Sequence, residues 1–428
     1  MNFFQKNIIS VFFTFSIGYF IILILAEEIF LLYGIGGFKA SPYIKMISIS
    51  FTSIYFIKYF LNLRIFLNAR LHVMEESVLV FVWFLAGIPA LIIGIVMSNP
   101  IIYIITDFLY ILLGSLLFFV IIHLNEIYSK NLNVDFNQQV KFIKNVSILM
   151  SVLSIICIIA GINVPIILTI FILTLGFIFL VLKSYVFAFL LYSIVIVQIA
   201  TANRAMLISI ILCFFLSLFR LLGRKKSFAR YIRIVYLSLA GILFSWLLLV
   251  LLIEVLPASS PLATRISQIL VIMEKGVDYE SPEMISFAQR IVEVNLVIDN
   301  WVKSPLYWPF STGLGSVIDG KLLIDDSVTG SALLGASNVH NIHILPFSLI
   351  HKYGFIGLII FFLIAINWVK SFNNILSVRS ESFSIIFLFS NVFFCLWVVF
   401  SLPASNFLWS MPIFWLCLAL KSKKHEIS

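Results

Sequence analysis

The sequence predicts an all-α polytopic membrane protein of about twelve transmembrane helices carrying one large helical outer loop. Three observations predict it. Of 428 residues, 62% are hydrophobic and only 11% charged, with a mean hydropathy of +1.13, whereas a soluble domain has about 25% charged residues. Apolar runs long enough to cross a bilayer recur with short breaks. Basic residues crowd into alternate breaks, as the positive-inside rule demands.

The runs fall at 8–33, 43–61, 77–97, 101–124, 142–160, 164–182, 184–200, 205–222, 234–255, 343–369, 383–401 and 404–420. The first is too long for a signal-peptide core and lacks a small-residue exit, so it reads as a retained anchor. Only Lys183 and Ser184 separate the sixth from the seventh. With the amino terminus inside, the inner breaks hold 19 of the 28 Lys and Arg residues, including the cluster Arg224, Lys225, Lys226, Arg230 and Arg233. Outer breaks such as Ser98-Asn99-Pro100 carry no charge. Both termini are therefore expected in the cytoplasm. The net charge of +9 is a product of topology, with no nucleic-acid partner implied. Cys157, Cys213, Cys395 and Cys417 all sit in apolar runs, so neither a disulfide framework nor metal-type spacing follows.

The chain thus divides into nine spans over residues 1–255, an outer loop over 256–341 and three spans over 342–428. The loop far exceeds what a turn needs and holds nine of the 19 acids, among them Asp278, Glu280 and Glu293. Within it, Ser281-Pro282-Glu283 reads as a helix start. Apolar residues then recur at helical spacing to Trp301, and Ser304-Pro305 ends the run. Gly313-Leu314-Gly315 reads as a turn rather than a phosphate cradle.

Three groups reach the outer side by this topology: Arg204 in the turn Thr201-Ala202-Asn203-Arg204-Ala205, Arg290 on the loop helix, and His340 where the loop returns to the membrane. Arginine is a planar, permanently charged fork suited to phosphate, and histidine can take a proton near neutral pH. Each has a bland counterpart. Arg204 snorkels to headgroups, Arg290 pairs with Glu293 one turn on, and His340 with Asn341 caps a helix. His340 and His343, three residues apart, also have a spacing at which two histidines can share a metal, although few carboxylates lie near them in sequence.

Taken together, the Asn-Arg outer turn, the basic cluster, the large outer loop with Arg290, and Val339-His340-Asn341-Ile342-His343 followed by Gly354 and Gly357 resemble the O-antigen polymerase/ligase superfamily. The resemblance covers residues 192–363. Asn203 stands where the family's turn often has Ser, and Leu345 falls one place later than the Leu of the His-Asn motif. The resemblance implies a metal-independent, cofactor-free glycosyltransferase of the GT-C type in a bacterial inner membrane. Its donor and acceptor would be undecaprenyl-diphosphate-linked glycans, with a chain-length regulator protein as a possible partner. By carry-over, Arg204 and Arg290 would bind the diphosphate and His340 would orient or deprotonate the acceptor. Arg265, Asn341, Asn203 and His343 are further substrate-binding candidates. A polymerase is the leading expectation. A ligase moving glycan to lipid A–core is its rival, and a lipid-linked oligosaccharide flippase is the alternative from another class.

Overall fold

A computed structural model describes residues 75–129, 136–159, 164–199, 204–221, 285–303, 309, 311–319, 338–340, 342–378, 385–405 and 408–421. These residues form helices α1 (Glu75–Val96), α2 (Ile101–Ser129), α3 (Phe136–Ile159), α4 (Ile166–Val181), α5 (Tyr185–Ile199), α6 (Arg204–Leu221), α7 (Ile285–Lys303), α8 (Leu345–Tyr353), α9 (Phe355–Ser377), α10 (Ile385–Ser401) and α11 (Pro412–Leu420). Two short strands, β1 (Ile318–Asp319) and β2 (Asn338–Val339), pair antiparallel with Ile318 opposite Val339. The fold is all-helical apart from this clip. Among the described residues, four helices are long and apolar enough to cross a membrane: Glu76–Val96, Ile101–Ile122, Gln139–Ile159 and Phe355–Ser377. Ile166–Val181, Tyr185–Val195, Ile208–Arg220 and Ile385–Ser401 are shorter apolar helices.

A helix that is apolar all round must be surrounded by protein or by lipid, and the bundle uses both solutions. Helices α4, α10 and α11 are buried almost throughout and form its centre. Their neighbours keep one apolar stripe outward. Phe81, Leu85, Ile88 and Ile92 lie exposed on α1, Ile148, Val152, Ile155 and Ile159 on α3, and Phe355, Ile359, Phe362, Ile366 and Val369 on α9. Close approaches rely on glycine. A Cβ on Gly114 would enter the Trp415 ring, and one on Gly176 the Tyr192 ring.

The third to eighth predicted spans correspond to α1 through α6, and the loop helix to α7, whose predicted start at Ser281 lies outside the described residues. The predicted runs 8–33, 43–61 and 234–255 also lie outside them. The break between the sixth and seventh spans is a Schellman turn. Lys183 takes φ +60°, its N–H donates to the Leu180 carbonyl at 3.1 Å, and Ser184 N–H donates to Phe179 at 2.8 Å. The same motif, with Ser98 at φ +58°, closes α1 and turns the chain into α2.

Two predicted spans are corrected. The run 343–369 is two helices, because Gly354 at φ +59° ends α8 and opens α9. Gly357 then backs onto the Leu349 carbonyl, where a Cβ would collide with backbone. The run 404–420 becomes α-helical only from Pro412, which occupies the first helical position after an extended Met411.

One end of the bundle is closed by a buried polar cluster. Lys421 donates to Asn367 Oδ1 at 2.9 Å and to Ser371 Oγ at 3.2 Å, lies 4.0 Å from Glu76, and covers the Phe394 ring at 4.1 Å. Lys421, counted from sequence as an inner-loop charge, is buried. The turns joining α1 to α2 and α10 to α11 lie at the other end, with the loop segment 311–316, His340 and the return segment 342–345.

Gly357→Val should lower the thermal unfolding midpoint in detergent, since overpacking against backbone costs about 1–3 kcal/mol. Gly87→Ala meets only Ile111 at 3.7 Å and should leave the midpoint equal or higher, because Ala in place of helical Gly gains roughly 1 kcal/mol. Tryptophan fluorescence during heating reads both.

Candidate functional site

The site is built on Gly313-Leu314-Gly315. Both glycines take φ beyond +70° (+79° and +73°), and a side chain on either would strike backbone, at Gly94 for Gly313 and at Ile104 for Gly315. The segment is a turn, as its composition predicts, and it wedges between α1 and α2. Leu314 is fully buried and its N–H donates to the Ala90 carbonyl at 2.8 Å. Asn99, freed by the turn after α1, donates to the carbonyls of Thr312 and Leu314 at 2.9 Å each.

So anchored, the turn aims Gly315 N–H at Asp107 Oδ2, 3.0 Å away. Asp107 lies six residues into α2, about 9 Å along the axis. Lys352, near the end of α8, donates to Oδ1 at 2.6 Å. His340 Nε2 lies 3.4 Å from the same oxygen. The three side chains are 5%, 2% and 9% exposed. Burying one charge alone costs several kcal/mol, so the Asp107–Lys352 pairing is a condition of its burial.

His340 is held on three sides. Nδ1 lies 2.9 Å from the Ser316 carbonyl, which can only accept, so that nitrogen carries a proton and Nε2 faces Asp107. The ring stacks on Tyr103 with centroids 4.2 Å apart and planes 6° apart. Tyr103 and Asp107 are four residues apart and share one face of α2. The β1–β2 clip brings residue 340 back beside residue 316. Next to this cluster, His351 is buried, and among the described residues neither its Nε2 nor Ser316 Oγ has a hydrogen-bond partner.

His343 turns to a different partner. Its ring Nδ1 lies 3.0 Å from both Glu293 oxygens, and its backbone N–H donates to Oε2 at 3.0 Å. The two histidines therefore do not converge. Among the described residues no group of three or more His, Cys, Asp or Glu side chains is disposed to hold a metal. Glu293 is fully buried on α7, which packs Val297, Leu296 and Val292 against Ile342, Phe347 and Ile350. The return segment is also tied to the α10–α11 turn. Leu345 N–H donates to Leu402, Ser405 N–H to His343, and Ser405 Oγ to Ile342.

The bland readings fare unevenly. His340 does not cap α8, whose N-cap is Ile344 in an extended conformation with no side-chain cap. Glu293 does not form an ion pair with Arg290; its carboxylate goes to His343. Arg290, one turn earlier on α7, is half-buried and makes no hydrogen bond or ion pair among the described residues. Burial lowers its pKa, and Glu293 at longer range opposes the shift. Arg204 is placed only as the first residue of α6. Arg265, Asn203, Asn341 and Asp278–Glu280 lie outside the described residues.

Sequence reasoning missed Asp107 and Lys352. Both carried a signal: each is a charged residue inside a run read as a membrane span, which by itself marks a functional candidate with a partner to be found. Chemically, the arrangement offers a histidine with one nitrogen fixed as a donor and the other beside a carboxylate able to stabilise an imidazolium.

Removing the Glu293 carboxylate should release α7 from the return segment. Hydrogen bonds to a charged group contribute about 1.5–3 kcal/mol. Glu293→Ala should therefore raise hydrogen–deuterium exchange along α7 by roughly ten- to a hundredfold while α10 stays protected; unchanged exchange in α7 would refute this latch.

No protein-family model matches the chain, and no curated protein matches it.

Proposed function

We propose that the chain is a metal-independent membrane glycosyltransferase that joins undecaprenyl-diphosphate-linked repeat units into O-antigen or capsular polysaccharide. In this reading it has about twelve spans of the GT-C type, sits in a bacterial inner membrane with both termini cytoplasmic, and works at the outer face. The observation that carries the reading is His340: a nearly buried imidazole at the bundle end, its Nδ1 fixed on the Ser316 carbonyl and its Nε2 beside Asp107.

The chemistry follows from these positions. The acceptor hydroxyl attacks the donor's anomeric carbon, its proton passes to His340 Nε2, and the bond from that carbon to the diphosphate oxygen breaks. Asp107 stabilises the imidazolium that forms. The leaving diphosphate needs cations. Arg290 is suited to this because Glu293 is engaged elsewhere, and Arg204 is the second candidate. No redox partner is required, since a hydroxyl and a glycosyl diphosphate supply every atom and electron.

A ligase that moves finished glycan to lipid A–core uses the same donor chemistry. For a flippase, charges should line a path; here Asp107 and Lys352 close on each other instead.

The test is a gel of surface and lipid-linked glycans from a deletion strain carrying the wild-type gene, His340→Ala or Arg290→Ala at equal protein level. His340→Ala should cut polymerisation by roughly 10²–10⁴-fold, the usual contribution of a general base, and collapse the ladder to core bearing one repeat. Long glycan held on the carrier lipid identifies a ligase. A full ladder in both variants refutes glycosyl transfer at this site.

A further inference from the structure

We infer that Asp107 is the positioning residue for His340, with Lys352 as its counter-charge, so that the three side chains rather than His340 alone form the working unit. The inference rests on the glycosyl-transfer reading of the same site.

The carboxylate is divided among three segments far apart in sequence. Oδ2 accepts the Gly315 N–H at 3.0 Å, and Oδ1 is shared between Lys352 Nζ at 2.6 Å and His340 Nε2 at 3.4 Å. A simple clamp between α2 and α8 needs only the ion pair. It does not need a histidine ring stacked on Tyr103 with its other nitrogen pinned to the Ser316 carbonyl. Nor is stability a sufficient reason for the pair, because a buried ion pair is often matched by apolar residues of similar volume.

Charge balance supports a working role. Asp107 and Lys352 cancel, so a proton received by His340 in the transfer step adds one positive charge directly beside the carboxylate. Asp107 meets Nε2 only as an acceptor, which leaves that nitrogen able to take a proton and steadies it afterwards. An asparagine would reverse this. Its carbonyl oxygen can keep the Gly315 bond, and its amide then points N–H at Nε2 and occupies the lone pair. Lys352 would be left as a buried unpaired cation.

These properties separate positioning from structure. Asp107→Asn alone should accumulate poorly because of the stranded lysine. The double variant Asp107→Asn/Lys352→Met removes both charges and keeps the cluster neutral, so it should regain wild-type protein level and thermal midpoint. The full-length chain is assayed in lipid nanodiscs with undecaprenyl-diphosphate-linked repeat units as donor and acceptor. The double variant should lose about 10²-fold in kcat with donor KM within about twofold, as expected when a group acts in the transition state and not in binding. Wild-type kcat in the double variant overturns the inference and leaves Asp107–Lys352 as a clamp.

Asp107→Glu supplies a second reading should the double variant misfold. It keeps the charge and displaces the carboxylate by one methylene, which flexible Lys352 can follow and the pinned His340 ring cannot. A kcat loss of about tenfold at normal protein level is expected, and an unchanged kcat overturns the inference. His340→Ala runs alongside. If it retains activity, glycosyl transfer through His340 fails; if it is dead while both Asp107 variants are active, only the present inference fails.

Discussion

The burial of the Asp107 carboxylate governs the candidate site. A carboxylate six residues inside an apolar helix cannot remain charged without partners, and α2 has none to offer. The partners come from elsewhere: the Gly315 amide, the Lys352 ammonium and the His340 ring. Satisfying one oxygen pair therefore fixes three segments. The loop must turn through two left-handed glycines to present its amide, α8 must stop where Lys352 faces α2, and the loop must return beside Ser316 to place residue 340. Trp409 also faces Lys352, at 5.6 Å, so the α10–α11 turn is drawn to the same point.

The rest of the bundle is compatible with that demand because its buried charged pairs lie at its ends. Between them, Phe389, Phe393 and Trp397 stack along the buried α10, and Phe171 of α4 meets Phe389 edge to face. In an apolar solvent such packing gains little from hydrophobicity and depends on close contact, which explains why Gly114 and Gly176 lie where rings press against their helices. The second cluster, Lys421 with Asn367, Ser371 and Glu76, closes the far end by the same rule: a buried cation is matched oxygen by oxygen. This knot ties α1, α9 and α11 together, as the Asp107 cluster ties α2, α8 and the loop at the other end.

The loop helix belongs to the site through a separate contact. Glu293 reaches His343 by ring and backbone alike, so α7, which carries Arg290, is tied directly to the return segment that follows His340. This division of labour resolves the ambiguity of two histidines three residues apart. His340 faces the membrane helices and His343 the loop.

The sequence by itself determined that the molecule is helical and apolar, and it located most of the described helices. Hydropathy and helical spacing are local properties, so α1 to α6 and the loop helix α7 were legible, as was the break at Lys183. His340, His343 and Arg290 stood out because polar groups are rare at the edge of a greasy chain. Two helix boundaries were misjudged, at Gly354 and Pro412, where single residues interrupt an apolar run that hydropathy averages over. The pairing of charges was decided only by the tertiary structure. Asp107 and Lys352 are 245 residues apart, and Glu293 and His343 are 50 apart. Each could be marked as costly where it stood, but which charge would neutralise which depends on how α2, α8 and the loop pack. A carboxylate takes its partner by distance and direction, and neither is written in the local order of residues.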